Sequence, residues 1–286
     1  MELKEYIDCH LHFHSPDMTK KIIKDMIMSD VPSLKNFFDN PDDNSSLLGL
    51  LDALNCKQAW IINYESPDVM GYTIETNNWV SNFCAGSNNR LIPIGSVNPE
   101  LHEDAGKLVR DYYESGMIKG IKIHGPHQLI KPNAYLDGLK AQFRMYKVIE
   151  DLQIPTIFHT GSSIFPKARS KYGDPMFLED VLTDFPQMIV IMAHGGRPFW
   201  TREAEYLMAK FRDQELYMDI SGIPPQLIGT YFPRFARFAE NCIFGSDYPS
   251  PGVQSSRKNA ESIANLPLPD EILEKILFKN AEKLIS

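Results

Sequence analysis

Five apolar runs in this chain each end in a side chain that can bind a metal ion, and that pattern restricts the fold more than any other feature. They are Tyr6-Ile-Asp-Cys-His-Leu-His12, Ile118-Lys-Gly-Ile-Lys-Ile-His124, Pro155-Thr-Ile-Phe-His159, Met188-Ile-Val-Ile-Met-Ala-His194 and Cys242-Ile-Phe-Gly-Ser-Asp247. Apolar and β-branched residues closed by one polar residue read as buried parallel strands that stop where a site begins. His124, His159 and His194 lie 35 residues apart, the length of one strand-plus-helix unit. Ligands carried on the ends of several parallel strands point to a (β/α)8 TIM barrel, an α/β fold with its metal site at the C-terminal face.

The remaining sequence agrees with eight such units. Strands are predicted near 5–12, 57–63, 91–97, 118–124, 155–159, 188–194, 215–220 and 242–247. Helical patterns fall at 45–55, 72–87, 103–114, 133–152, 177–185, 201–212 and 224–240, with 253–264 and 270–285 closing the chain. An open doubly wound sheet is the competing arrangement, but it would not bring the first strand beside the eighth, as the ligand pattern requires. At 286 residues the chain is read as one barrel domain spanning 1–286, with a C-terminal helix over 268–286. The segment 15–45 is the one long irregular stretch, placed after the first strand where a lid over the site would sit.

A formal charge of −8 argues against a nucleic-acid partner, and no basic amphipathic stretch suggests a membrane surface. Cys9, Cys56, Cys84 and Cys242 show no CxxC pairing and read as reduced, buried thiols. With no signal-peptide pattern before the first strand, a cytoplasmic location is expected.

Side chains at i and i+2 of a strand share a face, so Asp8, His10 and His12 are expected to point inward, with Cys9 and Leu11 facing the helices. Two imidazoles side by side on one strand, with further histidines and an aspartate on later strand ends, make a metal centre the natural reading. His14 continues the alternation but falls where the chain leaves the strand, and reads as a pocket or surface residue.

In these segments the chain resembles the amidohydrolase superfamily, in particular the amidohydrolase-related branch that includes aminocarboxymuconate-semialdehyde decarboxylase. The resemblance runs through Asp8-Cys-His-Leu-His12, Gly120-Ile-Lys-Ile-His124, His159-Thr-Gly161, His194-Gly-Gly196, Gly245-Ser-Asp-Tyr-Pro249 and Ile276-Leu-Phe-Lys-Asn-Ala-Glu-Lys-Leu284. It implies that His10, His12, His159 and Asp247 hold one divalent ion, zinc or else manganese, with a position left for water. It also implies that Asp247 and His194 move protons, with His194 outside the metal's ligand set. Lys122 and His124 share strand parity and are expected to line the site, Lys122 as a buried cation or an ion-pair partner of Asp8. Other branches carry a carboxylated lysine on the fourth strand between two metals; Lys122 is the residue that would do so here, in the less favoured binuclear alternative.

Loops after the strands should contact the substrate. Arg197, Trp200 and Tyr248 stand there, with Phe13, Tyr64, Asn98, His127 and Phe199, and suggest a small, carboxylated or planar molecule held by Arg197. A metal-dependent hydrolase acting on an amide, ester or lactone through zinc-activated water is the leading expectation. The alternative is a non-oxidative decarboxylase of an aromatic or unsaturated acid. The short chain and the sequence Lys122-Ile-His-Gly125 favour the hydrolase. A third class is a metal-binding scaffold without catalysis. The resemblance further implies a homodimer.

Overall fold

In the computed structural model, which describes residues 1–30, 39–250, 253 and 255–285, the five metal-type run ends converge on one end of a barrel. Its strands are β1 (Tyr6–Leu11), β2 (Cys56–Ile62), β3 (Leu91–Gly95), β4 (Gly120–Ile123), β5 (Thr156–His159), β6 (Val190–Ala193), β7 (Leu216–Asp219) and β8 (Cys242–Ile243). Among the described residues they form one eight-stranded sheet in sequential order, with every neighbouring pair parallel. The ring is closed where the chain beyond β8 meets β1: Cys9 N–H donates to Phe244 O at 2.9 Å, Asp247 N–H to His10 O at 2.9 Å and His12 N–H to Tyr248 O at 2.8 Å. No helix among the described residues is long and apolar enough to cross a membrane.

Side chains of one strand parity fill the interior: Ile7, Trp60, Ile94, Ile157, Ile191 and Ile243 form one buried cluster. The opposite parity, including Ile61, Ile121, Phe158, Met192 and Met218, packs under the helices. Full burial of an aliphatic or aromatic side chain stabilises by roughly 1.5–3 kcal/mol, so the repeated apolar strands suffice to order the barrel.

The strict alternation expected along β1 fails. Asp8 pairs with Ala59 and Leu11 with Ile61, so three steps of β1 match two of β2, a β-bulge. The extra residue changes parity: Cys9 joins the interior cluster, Asp8 turns to the helix side, and His10 and His12 still face the site. Asp8 is therefore no partner for Lys122. Its Oδ1 accepts the N–H groups of Ser246 (2.9 Å) and His10 (3.2 Å), and its Oδ2 accepts Ser256 Oγ at 2.5 Å, on the helix Ser256–Ala264.

Burial pushes the Asp8 carboxyl up to about 6 from 3.8, the bonds from Ser256, Ser246 and His10 opposing it. A carboxyl whose folded pKa is raised adds stability in full below its unfolded pKa, and that contribution is lost as pH rises through the folded value. Asp8→Asn preserves the shape and an acceptor for both N–H groups. Denaturant unfolding should show the wild-type protein losing about 2.4 kcal/mol more stability than the variant between pH 4 and pH 8. Equal losses would show that Asp8 titrates normally.

Two other expectations change. The segment 15–45 contains a helix, Lys21–Asp30, and its residues 31–38 lie outside the described residues. The helix expected over 224–240 is instead four short pieces, at Pro225–Leu227, Ile228–Tyr231, Phe235–Arg237 and Ala239–Asn241. Pro224, Pro225 and Pro233 account for this, since proline lacks an N–H and disfavours helical geometry in the residue before it.

Candidate metal and catalytic site

His10, His12 and Asp247 form the one group among the described residues whose ligand atoms all lie within 4.8 Å of one another. His10 Nε2 and His12 Nε2 are 3.1 Å apart, and Asp247 Oδ1 is 3.7 Å and 3.3 Å from them. The ring protons are assigned by the partners on the far side. His12 Nδ1 faces the Ile62 carbonyl at 3.4 Å, which can only accept, and His10 Nδ1 is bonded to Asp219 Oδ2. Both Nε2 lone pairs therefore point at each other beside a carboxylate, a repulsive arrangement that a divalent cation between them relieves. The donor set fits the metal that the sequence suggests.

Asp219 was not among the expected site residues, yet it ends β7 as part of the apolar run Leu216-Tyr-Met-Asp219. The signal was the same one that marks the other strands. It accepts from Ser221 Oγ at 2.9 Å and from the Ser221 N–H at 2.8 Å as well as from His10. Burial pushes its carboxyl up to about 7, with Ser221 and Lys122 opposing. A carboxylate behind a ligating imidazole orients the ring and raises its basicity. Asp219→Asn should therefore weaken zinc affinity about 10–100-fold, measured by competition with a chromogenic chelator; unchanged affinity would remove Asp219 from the site.

Lys122 is fully buried beneath this triangle, with Nζ 3.3 Å from His10 Nε2. Burial lowers its pKa to about 8, while Asp219 and Asp247 work the other way. Burial also opposes the charge on Asp247, but its contacts with the His12 and His10 rings and with the Arg197 guanidinium hold that carboxyl well below the usual range. Arg197 reaches Asp247 Oδ2 at 3.3 Å. Gly222 makes room for this contact: with φ +61, its position would set a Cβ against the Arg197 guanidinium and 2.9 Å from Asp247 Oδ2.

His194 lies at the end of β6 with φ +67, and Asp247 has φ +66. Left-handed backbone is costly for such residues, and it concentrates at functional sites. His194 Nδ1 donates to the Ser221 carbonyl at 3.0 Å, so Nε2 carries the lone pair. Burial, then Arg197, lower its pKa well below 6.5 and keep the ring neutral.

A cavity of about 470 Å³ opens above these groups. His12, His159, His194, Arg197 and Asp247 line it, as do His124, His127 and Tyr64. Lys122, Trp200 and Tyr248 do not, although all three were expected to meet substrate; Lys122 lies against His10 of the His10–His12–Asp247 triangle, and Tyr248 sits on the seam opposite Leu11. His159 is drawn into the cavity wall but stays outside the ligand triangle: it stacks on His124 with centroids 3.9 Å apart, and its Nε2 is 3.3 Å from the Ser162 carbonyl.

A family model described as amidohydrolase matches residues 7–286. No curated protein sequence matches the chain. Among solved structures, an uncharacterized TIM-barrel protein from Bordetella bronchiseptica is similar at 19% identity and TM-score 0.74, covering 98% of each chain. A dihydroxybenzoic acid decarboxylase from Polaromonas, with bound manganese and 2-nitroresorcinol, is similar at 14% identity and TM-score 0.73, covering 99% of this chain and 97% of its own. A probable 2-pyrone-4,6-dicarboxylic acid hydrolase from Acinetobacter baumannii is similar at 15% identity and TM-score 0.65, covering 98% of both.

Proposed function

Because the chain belongs to the amidohydrolase family, we propose that it is a metal-dependent hydrolase of a small carboxylated amide, ester or lactone. His10, His12 and Asp247 would hold one divalent ion, zinc by donor type, with His159 completing the set once its Nε2 leaves the Ser162 carbonyl. Manganese is the alternative, as in the decarboxylase neighbour. Such an ion supplies Lewis acidity and lowers the pKa of a water molecule toward neutrality.

The observation that carries the reading is the His194 tautomer. Its Nδ1–H is committed to the Ser221 carbonyl, which leaves the lone pair on Nε2 of a neutral ring that lines the cavity. That atom can take a proton from an attacking water and return it to a leaving group. Arg197 steadies Asp247 and is the one Lys or Arg among the described residues lining the cavity, which makes it the group to meet a substrate carboxylate. Because the base must be unprotonated, and burial lowers its pKa, the acid limb of the kcat/KM profile should lie below pH 6.5.

Decarboxylation of an aromatic or unsaturated acid is the second reading, favoured by the dihydroxybenzoic acid decarboxylase neighbour. Turnover of a panel of lactones, amides, esters and aryl carboxylates in ¹⁸O-enriched water separates the two. Label entering the product supports hydrolysis. Release of carbon dioxide without label in the organic product would replace it with decarboxylation, and no turnover with metal bound would remove both.

A further inference from the structure

We infer that Ser163 donates a hydrogen bond to the substrate, that Tyr64 frees its proton by acting through His127, and that the cavity therefore takes a ligand with a carbonyl-type oxygen on that wall. The inference rests on the proposed function only in taking the occupant to be a small carboxylate.

Tyr64 follows β2, His127 follows β4 and Ser163 follows β5; all three line the cavity, and none has a part in the proton transfers above. Tyr64 Oη lies 2.9 Å from His127 Nδ1, and His127 Nε2 lies 2.7 Å from Ser163 Oγ. His127 is stacked on His124 with centroids 3.6 Å apart and planes 11° apart, and the Phe165 ring stands edge-on to it at 5.4 Å, so the ring is fixed. Burial holds it neutral, leaving one ring proton to place.

Two proton arrangements satisfy the short contacts. If Ser163 donates to Nε2, the proton sits on Nδ1 and points at Tyr64, whose own hydroxyl proton then has no acceptor although Tyr64 is 3% exposed. A buried donor left unmade is costly. If Tyr64 donates to Nδ1, His127 carries its proton on Nε2 and donates to Ser163. The Ser163 oxygen already accepts the Phe165 N–H at 3.3 Å, so both of its lone pairs are filled and only its proton is left. Ser163 is half-buried at the cavity wall, where that proton is open to a ligand that replaces water. The same assignment excludes Ser163 as a nucleophile, because His127 offers it an N–H and not a lone pair. Ser163 is thus a substrate-contacting residue, and Tyr64 and His127 are positioning residues.

The test uses the full chain loaded with zinc and two shape-matched probe pairs, 3- and 4-acetylbenzoate against 3- and 4-isopropylbenzoate. Calorimetry should find one acetyl isomer bound about fivefold tighter than its isopropyl partner, the size of one neutral hydrogen bond. Ser163→Ala should bring that ratio to within about twofold, Ser163→Thr should restore it, and neither should alter zinc content. Long-range ¹H–¹⁵N spectra should show His127 as the Nε2–H tautomer. Equal binding within both pairs, a ratio kept in Ser163→Ala, an Nδ1–H tautomer, or no binding of any probe would each overturn the inference. Discrimination without turnover would leave the inference standing and defeat the proposed hydrolase; turnover without discrimination would do the reverse.

Discussion

Purified His12→Ala should carry almost no metal, where the wild-type protein carries about one ion per chain, and its turnover should fall by about 10³-fold or more. His12 supplies one of three ligand atoms in the triangle, and its loss leaves only His10 and Asp247 there. The fold should survive, since the His12 side chain is 16% exposed and lies above the apolar interior. Elemental analysis and circular dichroism decide the matter. Stoichiometric metal in the variant would sink the assignment, and two ions per wild-type chain would bring back the binuclear alternative with Lys122 carboxylated.

His194→Ala should do the opposite with metal: one ion stays bound while kcat falls about 10²–10⁴-fold, the range for loss of a positioned acid–base group. Its ring contacts His10 and His159, with centroids 4.8 Å away in each case, yet it contributes no atom to the ligand triangle. Steady-state kinetics beside elemental analysis gives both numbers. Metal and turnover both unchanged would mean that the proton moves elsewhere; metal retained in a protein without activity even in the wild type would leave a metal-binding scaffold.

The barrel was legible because each strand is a short apolar run and each helix carries its own spacing. Six of the runs needed only trimming and β2 lies one residue earlier than expected; β8 shrank to Cys242–Ile243, because the chain beyond it leaves the ladder to bond β1 across the seam. The side chains that meet at the strand ends were legible at His12, His194 and Asp247, each the last residue of its run. Legibility failed where geometry departs from periodicity. Period-two reasoning put Asp8 inside because nothing in Tyr6-Ile-Asp-Cys-His announces a bulge. Asp219 does not stand out although its run has the same form, because Ile220 carries the apolar run on beyond it. Lys122, Trp200 and Tyr248 have the right sequence positions, but depth along the barrel axis is not written in strand parity. The helix at Lys21–Asp30 could have been found from the pairs Ile22-Ile23 and Met26-Ile27, four residues apart.

The seam that closes the barrel also fixes when the site can exist. The N–H of Asp247 is bonded to the carbonyl of His10, so the two ends of the triangle meet at the seam with seven strands of sequence between them. A chain still emerging from the ribosome holds His10 and His12 long before it holds Asp247. Such a nascent chain cannot assemble the triangle, and a metal ion that needs all three donors would be captured only after the last strand is made.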